Sequence, residues 1–244
     1  MRRTHLPDQP VHVIQRGNNR GTVFFSDEDR ELYRAWLAGA AEANGLAVHA
    51  YVLMTNHVHL LAAPDDADSL PRTMQSLGRR YVRHVNAARR RSGTLWEGRY
   101  RAAPIDSDEY FFDCCRYIEL NPVRARTVDH PRRYPWSSYR THAEGRDDPL
   151  VALHPLFRTL GRSREEQQAG YRALFRDALD RNFVDGLRAA TNGGWAFGGD
   201  RFKKDIARAL KSRVEPLPRG RKPAAAKDTR QPHTRRAPNA LRPN

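Results

Sequence analysis

From residue 46 to residue 63 the chain is apolar at almost every position, and one polar pair, Thr55-Asn56, cuts the run in two. Short apolar runs bounded by turn residues read as buried strands. Residues 46–54 and 57–63 are therefore expected to form a hairpin or a bulged continuous strand. Any fold for this chain has to be built around that pair. The second run opens with His57-Val58-His59-Leu60-Leu61. Side chains at i and i+2 of a strand leave the same face, so His57 and His59 project side by side while Val58 enters the opposite layer. Two neutral imidazoles held in parallel make half of a metal site.

The flanking sequence supplies more elements. Val11-His12-Val13-Ile14-Gln15-Arg16 is β-rich and stops at the turn cluster 17–21, with Val23-Phe24-Phe25 as its expected continuation. Ser26 or Asp27 can cap a helix running through Leu32, Trp36, Leu37 and Ala41 to an Asn44-Gly45 stop. After the turn at 64–68, Leu70, Met74, Leu77, Tyr81, Val85 and Ala88 recur at helical spacing and form a core-facing stripe. Arg72, Arg79, Arg83 and Arg90 fall on the opposite side. No acid lies between Arg72 and Arg91 to pair with them, which favours a phosphate-binding face over an ordinary solvated one.

Residues 95–105 read as a further strand carrying Trp96, Arg99, Tyr100 and Arg101. Such side chains suit stacking on unpaired bases and contact with phosphates, and they suit core or edge packing equally well. A helix from Asp106 is expected to end near Asn121, because Pro122 follows. Phe111, Cys115 and Ile118 form its buried line, and Tyr117 and Asn121 lie one turn apart on a flank. Gly145-Arg146-Asp147-Asp148-Pro149 marks a boundary. Helical patterns follow at 164–181, 183–190 and 201–212. From residue 213 onward there are six prolines and nine Lys or Arg against two acids, the composition of a disordered basic tail. The organisation expected is a catalytic domain over 1–148, a helical extension over 149–212 and the tail over 213–244.

Lys and Arg number 43 against 28 Asp and Glu, a net charge of +15, which points to a polyanionic partner, nucleic acid ahead of an anionic membrane. The two cysteines, Cys114 and Cys115, are adjacent, which suits neither a structural disulfide nor a zinc knuckle. The N-terminus lacks the apolar run of a signal peptide, and no stretch approaches the roughly 18 apolar residues of a membrane span. The expectation is a cytoplasmic, nucleoid-associated protein.

Together these residues suggest a reaction. A divalent ion held by His57, His59 and the Asn121 amide keeps positions open for a phosphate. The Tyr117 hydroxyl, with a pKa ordinarily near ~10, could then attack phosphorus and form a phosphotyrosine link. Hairpin binding without catalysis, and hydrolysis by water on the same metal, are the alternatives.

The motifs also carry a resemblance. Tyr51-Val52-Leu53-Met54-Thr55-Asn56-His57-Val58-His59-Leu60-Leu61 resembles the HUH motif of single-tyrosine transposases. Residues 93–100, residues 116–125 and Trp136-Ser137-Ser138-Tyr139 resemble the subgroup called REP-associated tyrosine transposases. The resemblance implies an α+β fold, with a ferredoxin-like antiparallel sheet, helices on one face and the histidines on a central strand. It implies nicking and joining of single-stranded DNA with Mg²⁺ or Mn²⁺, Tyr117 as the nucleophile joined to the 5′ phosphate, and Asn121 as third ligand where many relatives carry Gln. It also implies hairpin DNA from repetitive palindromes as substrate, and a monomer, though shorter relatives dimerise. The expected DNA-binding residues are Arg72, Arg79, Arg83, Arg90, Trp96, Arg99, Tyr100 and Arg101.

Overall fold

A computed structural model describes residues 5–216. The tail expected from residue 213 therefore lies, from 217 on, outside the described residues. Four strands, β1 (Val11–Arg16), β2 (Leu46–Met54), β3 (His57–Pro64) and β4 (Arg101–Pro104), form one antiparallel sheet in the order β2-β3-β1-β4. Helix α1 (Asp27–Asn44) connects β1 to β2, and α2 (Ser69–Ala88) connects β3 to β4. That βαββαβ order with β3 and β1 central is the expected ferredoxin-like sheet.

The sequence explains the hairpin. Thr55-Asn56 is a two-residue turn, and β2 and β3 pair from Met54–His57 to Leu46–Pro64. A bulge between Val48 and Ala50 inserts His49 as an unpaired residue. Its effect is to move Tyr51 and Leu53 to the face that Leu46 and Val48 already occupy, while Ala50, Val52 and Met54 turn to the other face. The Nδ1–H of the extra imidazole donates to Ala152 O at 2.7 Å.

The two faces have separate cores. On one, Val11, Val13, Tyr51, Leu53, Val58 and Leu60 pack against Tyr33 and Leu37 of α1 and Leu70, Met74, Leu77 and Tyr81 of α2. Helix α1 is delimited as its sequence demands, by a Ser26–Asp29 capping box and by Gly45 at φ 64°, a left-handed stop open to glycine. The expectation of helices on one face holds for α1 and α2 alone. The opposite face is covered as well, by α3 (Ser107–Glu119), α4 (Asn121–Arg124), α5 (Tyr139–Glu144), α6 (Arg164–Ala173) and α7 (Arg181–Gly193). Phe157, Tyr171, Phe183 and Leu187 share one buried cluster with Ala50, Val52, Leu61 and Ile118, so the C-terminal helices complete the core of the sheet. A last helix, α8 (Asp200–Leu210), packs through Ile206 against Ala196 and Val214.

Three local expectations change. Val23 and Phe24 are buried irregular chain, not strand; Val23 N–H and Phe24 N–H both donate to Thr55 O, and Tyr81 OH donates to Val23 O. Residues 95–100 run beside β1 with only a Gly17–Trp96 bridge before β4 begins, because Trp96 turns inward against Tyr33 and Tyr81. Pro122 does not end the helical path. Helix α3 stops at Glu119, and Pro122 sits in the first turn of α4, where its missing N–H would have had no helical partner.

Candidate active site

The α3-facing side of the sheet gathers the titratable groups. In the antiparallel register Arg16 stands opposite His57, Ile14 opposite His59 and His12 opposite Leu61, all on one face. His12 therefore lies diagonal to His59, and the two rings stack at 5.0 Å with an interplanar angle of 10°. Tyr117 descends from α3 and sets its ring edge-on against both, 5.6 Å from His12 and 5.7 Å from His59. Asn121, at the start of α4, is buried and lines the same cavity as His57.

A hydrogen-bond chain fixes the protons of these rings. The Thr191 hydroxyl donates to Leu187 O at 2.8 Å, so it accepts from His12 Nδ1–H at 2.7 Å. The Nε2 of neutral His12 then accepts from His59 Nδ1–H at 2.9 Å, which leaves the lone pair on His59 Nε2. His57 is set the same way. Its Nδ1–H donates to Asn56 Oδ1 at 2.6 Å, and that amide is oriented by donating to Arg20 O at 2.9 Å. Both histidines thus offer Nε2 as an electron-pair donor.

Electrostatics keep them neutral. Burial, helped by the Arg124 charge, lowers His12 to about 3. Burial and Arg16 lower His57 to about 4, against a small opposing effect of Asn121. Burial and the neighbouring His12 and His57 hold His59 well below its ordinary value. These groups do not hold protons at neutral pH, which is the state a cation ligand requires.

Two arginines bracket the tyrosine. The Arg124 guanidinium lies 4.1 Å over the Tyr117 ring and donates to Tyr117 O at 2.8 Å. The Arg188 Nε–H, from α7, is directed at the Tyr117 hydroxyl at 3.4 Å. A cavity of about 330 Å³ is lined by all of these groups and by Asn192. Through Ile14, Arg16 and Asn192 it continues into a second cleft of about 330 Å³, walled by Arg20, Arg99, Arg101, Gly98 and Glu97.

The residues expected from sequence divide accordingly. His57, His59, Tyr117 and Asn121 converge. Arg99 and Arg101 border the adjoining cleft, where Arg101 also donates to Asn192 at 2.9 Å. Arg72, Arg79 and Arg83 are exposed on α2, across the sheet from the histidines, and Arg72 is paired with Asp66 at 2.6 Å; Arg90, expected on the same stripe, lies in the turn beyond the end of the helix at φ 48°. Trp96 and Tyr100 are buried and line a groove beside α2 that borders the adjoining cleft at Gly98 and Arg99, so neither presents an open face for stacking. Sequence reasoning misses His12, Arg16, Arg20, Arg124, Arg188 and Thr191. His12 carries a visible signal, a polar residue inside a β-rich run. Arg188 and Thr191 have only their i, i+3 spacing, on a helix whose Arg188 lies 71 residues along the chain from Tyr117.

Among the described residues no group of three or more His, Cys, Asp or Glu side chains could hold a metal, so a third ligand beside His57 and His59 would have to be of another kind, such as the Asn121 amide. The donor atoms fit a divalent ion: two free Nε2 lone pairs beside an amide, with the other nitrogens tied back to protein groups.

No curated protein sequence matches the chain. Among solved structures, a REP-associated tyrosine transposase bound to a REP hairpin aligns with a TM-score of 0.50 at 16% identity, covering 63% of this chain and 91% of that one. A candidate transposase from Deinococcus radiodurans R1 aligns with a TM-score of 0.35 at 23% identity, over 47% of this chain and 92% of that one. Residues 6–121 match the sequence model of the IS200-like transposases. The four-stranded sheet and the histidine–tyrosine pair both lie inside that span, which is just under half of the chain, so over these residues the chain is similar to the IS200-like transposases.

Proposed function

We propose that the protein nicks and rejoins single-stranded DNA at hairpin-forming palindromic repeats, through a phosphotyrosine formed on Tyr117. The observation that carries this reading is the packing of Tyr117 edge-on against His59 and His12, inside the cavity lined by His57 and Asn121. A nucleophilic hydroxyl and a set of cation ligands within one cavity of that size can act on a single phosphodiester. His57 Nε2, His59 Nε2 and the Asn121 amide oxygen would hold the ion. When bound, Mn²⁺ or Mg²⁺ there polarises the phosphate as a Lewis acid. Imidazole nitrogen suits Mn²⁺ better than the harder Mg²⁺.

The protein's own groups do the remaining work. The Tyr117 oxygen bonds to phosphorus and the bond from phosphorus to the 3′ oxygen breaks. That oxygen leaves as a 3′-OH while the 5′ phosphate stays on the enzyme. Arg124 fixes the ring, and Arg16, Arg20, Arg99 and Arg101 offer a cationic track for the rest of the strand. The hairpin bound in the aligned REP-associated transposase supports a folded single strand as substrate. Tyr117 packs against the histidines of its own chain, which suits action as a monomer. Among the described residues no helix is long and apolar enough to cross a membrane.

The test is a labelled single-stranded hairpin incubated with the protein and Mn²⁺ or Mg²⁺, then a denaturing gel. A labelled protein band that vanishes in Tyr117→Phe is expected. Cleavage that survives Tyr117→Phe with no such band would assign the attack to water. Binding without cleavage under either metal would leave a hairpin-binding protein.

A further inference from the structure

Helix α7 lies beyond the residues that match the family, yet it reaches the centre of the site. Its placement is firm. Asp180 caps it by accepting from Phe183 N at 2.8 Å, Phe183 and Leu187 are buried in the core under the sheet, and Gly194 closes it at φ 70°. One face then carries Arg188 to the Tyr117 hydroxyl and Thr191 to His12. We infer that Arg188 is a catalytic residue of the strand-transfer reaction, supplied by this C-terminal helix. The inference rests on the reading of Tyr117 as nucleophile.

The division of labour between the two arginines supports it. Arg124 is committed to the flat of the ring and to a backbone carbonyl, so it holds Tyr117 without touching the reacting oxygen. Arg188 meets that oxygen. It pairs only loosely with Asp185 of its own helix, at 3.7 Å, and its side chain is 52% exposed. The terminal nitrogens are therefore open to an incoming phosphate. A guanidinium offers parallel N–H groups in one plane, so it can donate to the attacking oxygen and to a phosphate oxygen together. In the forward step the phenol proton passes to solvent water, the bond from Tyr117 oxygen to phosphorus forms, and the bond to the 3′ oxygen breaks. The departing electron pair stays on that oxygen, which takes a proton from water. Arg188 keeps its protons and its charge throughout, favouring the crowded, more negative arrangement over the starting one. Rejoining runs through the same interactions in reverse.

The experiment uses the full chain, a 3′-labelled hairpin at saturating protein, and Mn²⁺, following adduct formation in a single turnover. Loss of one such donor costs about 100-fold or more in rate. Arg188→Ala should show a loss of that order with an unchanged melting temperature. Arg188→Lys should recover only part of it, since an ammonium cannot donate in two directions within one plane. Added methylguanidinium should restore adduct formation to Arg188→Ala and not to Tyr117→Phe. A residue with a merely structural role is not rescued from solution. Arg188→Ala reacting at the wild-type rate, or a slow variant that methylguanidinium leaves slow, would overturn the inference and leave the nucleophile reading standing. A wild-type protein that cuts without any adduct would overturn both.

Discussion

A histidine can bind a cation only with a lone pair, and which nitrogen keeps it is decided by what the other nitrogen touches. In this protein the decision for His59 is made by His12 and, behind it, Thr191. Removing that chain should loosen the ion without removing a ligand. We expect His12→Phe or Thr191→Val to weaken Mn²⁺ binding by about 10–100-fold, read by calorimetry on the DNA-free protein. Wild-type affinity in both variants would show that the relay does not set the His59 ring. His57 and His59 are legible in sequence because a strand repeats every two residues, a local rule. His12 meets His59 across a strand pairing and Thr191 meets His12 from 179 positions along the chain, and no local period encodes either meeting.

At the scale of elements, the junction between α3 and α4 aims the site, and a buried carboxylate secures it. Glu119 is fully buried and accepts from Ser138 Oγ at 2.6 Å, His142 Nδ1–H at 2.8 Å and Tyr171 OH at 2.7 Å. One side chain thus ties the end of α3 to α5, to α6 and to the segment along the outer edge of β2. Glu119→Ala strands three donors, and we expect a loss of about 3–5 kcal/mol in denaturant unfolding. Glu119→Gln keeps the shape and should lose less. If Glu119→Ala unfolds at the wild-type midpoint, the junction is held by packing alone. The position of this junction is legible, since Asn121-Pro122 announces a break. Its continuation into α4 is not, because a proline in a first helical turn reads like one that ends a helix until the neighbouring packing is known. The inward turn of Trp96 is hidden for a similar reason: aromatic residues suit a stacking surface and a core equally, and Tyr33 and Tyr81 decide the matter from distant positions.

Over the whole molecule, two expectations concern charge. The unfolded chain takes up protons on its imidazoles below about pH 6.5, whereas His12 resists to about 3 and His49 and His57 to about 4, chiefly through burial. The native state therefore has no such uptake to gain from, and stability should be level above about pH 6.5 and fall as pH drops from there towards 4. Each group contributes a slope of at most about 1.4 kcal/mol per pH unit. Melting temperatures measured from mildly acidic to neutral pH check this; a midpoint unchanged down to about pH 5 would mean that the buried imidazoles charge within the native state. The second expectation separates two arginine surfaces. If the strand follows the cleft beside the site, Arg99→Ala with Arg101→Ala should flatten the salt dependence of single-strand binding by about 0.7 for each phosphate no longer neutralised. Arg79→Ala with Arg83→Ala on α2 should change it less, and the reverse order would put the DNA on the far side of the sheet. The net charge makes a polyanionic partner legible from composition, but not which surface faces it, since that depends on which side of the sheet each helix occupies.

The bulge at His49 has a consequence for which changes the chain can absorb. With this residue present, β2 has an extra position between its two halves, so Val48 and Tyr51 share a side. Deleting one residue there would restore strict alternation and force half of the strand to turn over, driving Tyr51 and Leu53 under the histidine floor and Val52 into the α1–α2 layer. A substitution at His49 costs a hydrogen bond to Ala152, but a deletion exchanges the contents of the two layers. The hairpin should therefore accept new side chains at this position more readily than a change in length.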